Sequence, residues 1–227
     1  EVDAGQVTGV VAGMDVQPEI VVLQPKTFEG VLDSFLQIGL ACGAETEANE
    51  AIAEIRQRVR SIQDKLPAAA HWPRVFSIEG INPLVLGGHW IPDLLELAGG
   101  NQDLLPSGSA AKRLEWGEIH DYNPDKLFVD LCSSDLARNL REVPWLESQE
   151  GWRDMTCVQN GEVYLIDHSY FSRPGPRTIE GLEILAQLTH PDLFNGLVPR
   201  NAVVKLDVQR YAGRPDGEIS DCFSPYH

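Results

Sequence analysis

The residue best suited to contact a ligand is a tryptophan in a glycine-rich loop. A predicted strand over residues 75–78 leads into INPLVLGGHWIPDLLELAGG, where Trp90 follows Gly87 and Gly88 and precedes a predicted helix. Glycines permit close approach of the backbone, and an indole offers a flat apolar face with one N–H donor. The pattern predicts a platform for a flat ligand, and the alternative is an indole that only caps the core. His89 beside it is typical of a surface histidine rather than a metal ligand.

A second candidate segment is HSYFSRPGPR, residues 168–177, which follows a predicted strand and precedes the last predicted helix. Tyr170 and Phe171 offer aromatic surface. Arg173, in a rigid Pro/Gly setting, offers a fixed fork of donors for amide or carboxylate groups. The alternative for Arg173 is an ion pair with a neighbouring carboxylate. Arg177 is expected in the first turn of the helix, where it serves structure.

Motifs for covalent or acid–base catalysis are absent from the sequence, which contains no GxSxG, HExxH, Walker loop or GxGxxG after a strand. Asp130, Asp135, Asp167 and His168 fall near the same predicted edge, but their spacing indicates no nucleophile–base pair. The 4 cysteines form no CxxC pair and so give no zinc or redox signature. The sequence therefore predicts a binding protein and not an enzyme, with no catalytic residue, no metal site and no cofactor.

Alternating strands and helices position these two segments. Apolar periodicity predicts a short helix within residues 1–18, a buried strand at residues 20–23, and two helices over residues 27–66. Thr27 is the expected N-cap of the first of these two helices, and Gly43 its stop. Further along, short strands and helices alternate, which predicts an α/β fold with a mainly parallel sheet and helices on both faces. Ligands of such sheets bind at the carboxyl ends of the strands, where both candidate segments fall.

Composition and charge exclude several classes of partner. The chain has 227 residues, with 18 Lys and Arg against 34 Asp and Glu, for a formal net charge of −16. Nucleic acids and anionic lipids both select basic patches, so neither is expected as a main partner. No stretch approaches the roughly 18 apolar residues of a membrane-spanning helix, so no membrane insertion is expected.

Several segments together resemble one protein family. GHWIPDLLELAGG, NPDKLFVDLC, GWRDMTCVQNGEVYLID and YFSRPGPRTIEGLEILAQLTHP are similar to the carboxyl-terminal lobe of cobalamin-type periplasmic binding proteins. These proteins are the substrate-binding components of ABC importers, with two α/β lobes joined by a rigid helix. VVLQPKTFEGVLDSFLQIGLACG resembles the last strand of the amino-terminal lobe running into that helix. The resemblance covers residues 19–192 and is specific for the family but not for the ligand, since relatives bind corrinoids, haem or siderophores.

The resemblance implies a division of the chain into four parts. They are a remnant of the amino-terminal lobe at residues 1–26, connecting helices at 27–66, the carboxyl-terminal α/β lobe at 67–193, and a tail at 194–227.

The resemblance also implies a function and a site. The ligand is expected between the lobes and is cobalamin or a related corrinoid or tetrapyrrole. Its contacts on the carboxyl-terminal lobe are Trp90, Tyr170, Phe171 and Arg173. The implied partner is a membrane transporter, and the implied location is periplasmic or otherwise outside the cytoplasm.

One departure from the family leaves a second function open. Most of the amino-terminal lobe is missing from these residues, so either it lies outside this sequence or the protein is a shortened relative. A shortened relative is expected to be a non-transporting accessory or scaffold subunit of a larger complex, located in an organelle. Such a subunit reuses the lobe to bind other proteins without a ligand.

Overall fold

The computed structural model describes residues 4–16, 18–68, 72–213 and 218–227. These residues form nine α-helices and seven β-strands. The helices are α1 Ala4–Val11, α2 Phe28–Cys42, α3 Glu45–Gln63, α4 Ile91–Leu97, α5 Trp116–Tyr122, α6 Leu136–Glu147, α7 Thr156–Gln159, α8 Thr178–Thr189 and α9 Val208–Ala212. The strands are β1 Val75–Ile81, β2 Leu84–Leu86, β3 Lys112–Arg113, β4 Lys126–Val129, β5 Val163–Ile166, β6 Val203–Leu206 and β7 Phe223–Tyr226.

The strands form one mixed sheet in the order β3-β2-β1-β4-β5-β6-β7. The central strands β1, β4 and β5 are parallel to one another. Antiparallel pairs flank them, with β2 and β3 on one side and β6 and β7 on the other. Consequently five of these strands run in one direction, namely β1, β3, β4, β5 and β7. The other two, β2 and β6, run in the opposite direction. The predicted α/β fold with a mostly parallel sheet is confirmed.

Helices cover both faces of the sheet, as predicted. Val75 and Phe128 point to the face covered by α2, α3, α4 and α8. Their chain neighbours Phe76 and Leu127 point to the opposite face, covered by α5, α6, α7 and α9. All four side chains are fully buried. Because it is buried on both faces, β5 is a continuous apolar run, whereas β1 also carries Ser77 and Glu79 and β4 begins with Lys126.

The predicted helices over residues 27–66 are present as α2 and α3. The Thr27 hydroxyl accepts a hydrogen bond from the Gly30 N–H at 3.0 Å, and Gly43 ends α2 with a φ of 69°. α3 then packs closely against α2, since a Cβ on Gly39 would lie 2.5 Å from the Ala48 Cβ. The two caps are therefore confirmed, while the role of these helices in joining two lobes stays a prediction.

The strand predicted at residues 20–23 is wrong. Residues 18–26 carry no regular secondary structure, and the side chains of Ile20, Val21 and Val22 are 37%, 42% and 49% exposed. A strand needs a neighbour that accepts and donates its backbone hydrogen bonds, and the sheet ends at β3 and β7 without reaching this segment. The short helix predicted before it is present as α1. Residues 1–3 and 17 of that prediction lie outside the described part of the chain.

The segment interpreted from the sequence as a tail contributes to the sheet. β6 pairs with β5 through Val204 opposite Leu165, and β7 pairs with β6 through Phe223 opposite Leu206. Residues 194–227 therefore extend the same sheet where they are described, with 214–217 outside that description. The division of the chain at residues 27, 67 and 194 itself stays a prediction.

Candidate functional site

The two segments singled out by the sequence meet at the carboxyl edge of the sheet. Trp90 is the N-cap of α4, and residues 168–171 follow β5. The indole Nε1–H of Trp90 donates a hydrogen bond to the backbone carbonyl of Phe171 at 3.1 Å. Trp90 is half-buried, so part of its ring remains open to solvent. The hydrogen bond thus fixes the indole at the rim without enclosing it.

Tyr170 lies at the same rim and is also half-buried. The Arg177 guanidinium lies 5.2 Å from the centre of its ring, a cation–π contact that restrains the phenol. Burial raises the pKa of Tyr170, so the hydroxyl stays protonated as a donor over the physiological range. Arg177 is the N-cap of α8, which agrees with the structural role expected for it.

Phe171 and Arg173 differ from each other in accessibility. The Phe171 side chain is only 2% exposed and belongs to the core beneath α8, so the prediction that its ring contacts a ligand is corrected. Phe171 instead supports the rim through the carbonyl that holds Trp90. Arg173 is exposed, and no carboxylate among the described residues pairs with it. Of the four predicted contacts, Trp90, Tyr170 and Arg173 are therefore accessible.

Helix α8 determines where the loop of Tyr170 and Phe171 can lie. A Cβ on Gly181 would come within 2.8 Å of both the Phe171 Cε1 and the Tyr170 carbonyl oxygen. The absence of a side chain at Gly181 therefore allows the loop to rest directly on the helix.

Gly181→Ala is expected to lower the free energy of unfolding by about 1–3 kcal/mol, because the added methyl group overpacks this contact. Urea unfolding measures the change. Gly117→Ala in α5 is the matched control, since no atom lies within 4 Å of the position of its Cβ. The control is expected to leave stability unchanged or slightly higher. An equal loss in both variants would contradict the prediction.

A buried polar cluster lies directly beneath this rim; the sequence placed Asp130 and His168 near this edge but did not predict that they would cluster with residues of β1. It consists of Ser77 and Glu79 in β1, Asp130 after β4, and His168 after β5. The Ser77 hydroxyl donates to Asp130 Oδ1 at 2.7 Å. The His168 Nδ1–H donates to the Asp130 backbone carbonyl at 2.7 Å and lies 3.8 Å from Asp130 Oδ2. Ser77, Asp130 and His168 are fully buried, and Glu79 is partly buried.

The three titratable groups of this cluster perturb one another. Burial raises the pKa of Asp130. Burial, reinforced by the charge of Asp130, raises the pKa of Glu79 to about 7. Burial alone would lower the pKa of His168, but its hydrogen bond to Asp130 and the charge of that carboxylate outweigh burial and raise it. The cluster can therefore take up or release a proton near neutral pH.

A second buried network fastens β4 to β5 at the same edge. Asn139 in α6 is fully buried, and its Nδ2 donates to the Ile166 carbonyl at 2.8 Å. Its Oδ1 accepts the Ser134 hydroxyl hydrogen at 2.5 Å, and the Ser134 carbonyl accepts the His168 backbone N–H at 3.2 Å. One amide side chain thus ties together the two loops that follow these strands. A lone Asn in an amphipathic helix carries no sequence signal for this role.

A cavity of about 620 Å³ opens elsewhere, beside α2, α3 and α4. None of the four predicted contact residues lines it. Several of its polar groups already have partners, because Arg56 pairs with Glu29 at 2.8 Å and Asp93 accepts the Phe28 N–H at 2.7 Å. The predicted site is therefore an open surface at the sheet edge, distinct from this cavity.

Within the described ranges, there is neither a candidate metal site nor a helix that could span a membrane. Among residues 4–16, 18–68, 72–213 and 218–227, no group of three or more His, Cys, Asp or Glu side chains is arranged to hold a metal ion. Across the same ranges, no helix combines the length and the apolar character needed to cross a bilayer.

Comparison with known proteins decides the family. The family profile described as "Periplasmic binding protein" matches residues 15–170, well over half of the chain. The chain belongs to the periplasmic binding protein family. This is a family of binding proteins and not of enzymes, which agrees with the absence of catalytic motifs.

One curated relative extends the family match. The chain is 25% identical over 174 residues to the uncharacterized ABC transporter substrate-binding lipoprotein YvrC of Bacillus subtilis. The match covers 74% of this periplasmic binding protein chain and 52% of the relative, so the chain spans about half the length of that relative.

Two solved structures show the same fold at low sequence identity. A periplasmic heme binding protein from Pseudomonas aeruginosa superposes with a TM-score of 0.66 at 20% identity, covering 85% of this chain and 70% of the other. The periplasmic vitamin B12 binding protein BtuF of Vibrio cholerae superposes with a TM-score of 0.57 at 19% identity, covering 74% and 64%. At such identities the likeness establishes the fold alone. None of the proteins named here supports a location in an organelle.

Proposed function

We propose that this chain is part of the substrate-binding protein of an ABC importer and that it presents its ligand-binding rim at the carboxyl edge of the sheet. The observation that carries the proposal is the hydrogen bond between Trp90 and Phe171. It joins the two segments that resemble the cobalamin-type family and holds a half-exposed indole beside the half-exposed Tyr170. Family membership supports the general function of a substrate-binding protein. The exposed aromatic rings of the rim support a ligand with a broad flat surface.

We assign the ligand to cobalamin or a related corrinoid or tetrapyrrole. Trp90 and Tyr170 offer aromatic surface for the macrocycle, and the exposed Arg173 offers donors for the amide or carboxylate groups on its periphery. Proteins of the same fold carry the names of a heme binding and a vitamin B12 binding protein. The proposed location is outside the cytoplasmic membrane, in keeping with the family.

The proposed rim provides one wall of a site. Tight small-molecule sites bury about 70–90% of the ligand surface, more than an open edge alone can cover. We therefore expect a second surface to close over the ligand. The resemblance implies a second lobe in that position, with small lobe motion and acidic surface residues that meet a basic transporter.

Titration of the full-length protein with cyanocobalamin tests the assignment. Tryptophan fluorescence is expected to fall saturably at micromolar ligand, after correction for absorption with free N-acetyltryptophanamide. Hemin serves as the parallel ligand. Saturable binding of hemin alone would move the assignment from corrinoids to haem, and no quenching by either ligand at micromolar concentration would contradict the proposed function.

A second candidate function, an accessory subunit that binds proteins and no ligand, is favoured by one observation. Ile20, Val21 and Val22 form a consecutive exposed apolar segment, and such patches mark protein contacts. Native mass spectrometry of the protein from its source separates the two functions. A stable assembly with other proteins but no cobalamin would favour the accessory subunit, and a monomer that binds cobalamin would exclude it.

A further inference from the structure

A chain of hydrogen bonds runs from the sheet to the indole of Trp90, and His168 lies in the middle of it. The His168 imidazole donates from Nδ1 to the Asp130 carbonyl at 2.7 Å. The His168 carbonyl accepts the Phe171 backbone N–H at 2.9 Å. The Phe171 carbonyl in turn accepts the Trp90 Nε1–H at 3.1 Å. The ring and the carbonyl of one residue therefore connect the segment after β4 to the indole at the rim.

Strand β1 holds the first member of this chain, Asp130, at two points. The Asp130 backbone N–H donates to the Ile78 carbonyl at 3.0 Å. The Asp130 carboxyl group accepts the Ser77 hydroxyl hydrogen at 2.7 Å. Asp130 and Ser77 are both fully buried, so water does not compete for these bonds. The carbonyl that accepts the His168 hydrogen therefore belongs to a residue whose place in the sheet is fixed.

His168 also fixes the start of the turn that carries Tyr170 and Phe171. A carbonyl oxygen can only accept, so Nδ1 of the imidazole carries the hydrogen in the contact with Asp130. The imidazole is buried, and water cannot easily replace it as the donor. The His168 carbonyl accepts the Ser172 N–H at 2.9 Å in addition to that of Phe171. The turn is thus closed on the backbone of the residue whose ring is tied to the sheet.

We propose that His168 is a positioning residue of the ligand rim, whose Nδ1–H donor fixes the turn that holds the Trp90 indole beside Tyr170. Without this donor the turn loses its tie to the sheet, and the Phe171 carbonyl no longer has a fixed position from which to accept the indole hydrogen. The consequence for a ligand rests on the proposed function. The consequence for the indole does not, because its hydrogen bond is present without a ligand.

Two amide substitutions at His168 test the proposal. The short His168→Asn side chain places its N–H donor near the position of Nδ1, whereas the longer His168→Gln side chain places the same group near Nε2. Hydrogen exchange of the Trp90 Nε1–H in the ligand-free protein is followed by NMR, with Trp90→Phe to assign the resonance. Exchange is expected to be about tenfold faster in His168→Gln than in the wild type, and close to the wild-type rate in His168→Asn. A role in packing alone would favour glutamine, which is closer to histidine in volume.

The Trp116 indole is the internal control in the same spectra. Its Nε1–H also donates to a backbone carbonyl, that of Glu150, at 2.7 Å, but it lies in α5 on the opposite face of the sheet. Its exchange is expected to be the same in both variants and the wild type. An unchanged Trp90 rate in His168→Gln, equal acceleration in both variants, or equal acceleration of Trp90 and Trp116 would overturn the proposal.

A second measurement needs no variant. Nitrogen NMR of the wild-type imidazole is expected to show a hydrogen on Nδ1 of His168, and an Nδ1 without hydrogen would overturn the proposal.

Cobalamin binding separates this inference from the proposed function. His168→Gln is expected to bind cyanocobalamin about tenfold more weakly than His168→Asn, because only the latter keeps the rim in place. The exchange and nitrogen measurements are made without ligand. If neither cobalamin nor hemin binds the wild type, the proposed function fails and the role of His168 in holding the indole stands. If cobalamin binds but the indole exchange does not respond to His168→Gln, this inference fails and the proposed function stands.

Discussion

Replacing Asn139 by alanine is expected to lower the free energy of unfolding by about 2–4 kcal/mol, because the substitution removes buried hydrogen bonds. The Ile166 carbonyl loses its donor from Nδ2, and the Ser134 hydroxyl loses Oδ1 and keeps the Leu131 carbonyl as its acceptor. Asn139 is fully buried at this point, so water cannot easily replace it. Urea unfolding monitored by circular dichroism measures the change.

Asn49→Ala is the matched control for this prediction. Asn49 also lies inside a helix, and its Nδ2 also donates to a backbone carbonyl, that of Glu45, but the side chain is exposed. Both substitutions gain the same few tenths of a kcal/mol in helix propensity. The control is expected to change stability by less than about 0.5 kcal/mol. A loss below about 1 kcal/mol in Asn139→Ala would show that the network does not fasten β4 to β5.

Replacing Trp90 by alanine is expected to weaken cobalamin binding about 10- to 100-fold, equivalent to about 1–3 kcal/mol. The substitution removes the half-exposed indole from the rim. It also removes the hydrogen bond that joins the two rim segments through the Phe171 carbonyl. Isothermal titration calorimetry of both proteins with cyanocobalamin measures the difference.

Trp116→Ala controls for the loss of a tryptophan elsewhere. Trp116 is likewise half-buried, and its Nε1–H donates to the Glu150 carbonyl at 2.7 Å. It lies in α5, which packs with the opposite face of the sheet. The control is expected to bind cobalamin as the wild type does. Equal weakening in both variants would indicate a general loss of stability and would remove Trp90 from the site.

Local signals in the sequence predicted both ends of α2 correctly. Thr27 begins α2 and Gly43 ends it, because a side-chain hydroxyl and a left-handed glycine act on the few residues beside them. The same kind of reasoning failed at residues 20–23. Their apolar, β-branched pattern is typical of a strand, but a strand exists only where another strand lies alongside it, and that is not a local property.

Accessibility of the predicted contacts also depended on distant residues. Trp90 and Phe171 have similar aromatic character and both fall at the predicted edge, yet only the indole remains partly open. Phe171 is buried because α8 lies directly on it at Gly181, ten positions along the chain. Residue type indicated which side chains suit a flat ligand, and helix packing decided which of them can reach one.

The family, the alternation of strands and helices, and the placing of the two candidate segments at one edge of the sheet all follow from the sequence, because they depend on motifs and periodicities within short segments. The cluster of Glu79, Asp130 and His168 follows only from the tertiary structure. Its members are separated by tens of residues along the chain, and each one alone is typical of an ordinary loop or strand end. They meet because parallel pairing of β1, β4 and β5 places the ends of the three strands side by side, where burial and charge act on all three groups at once.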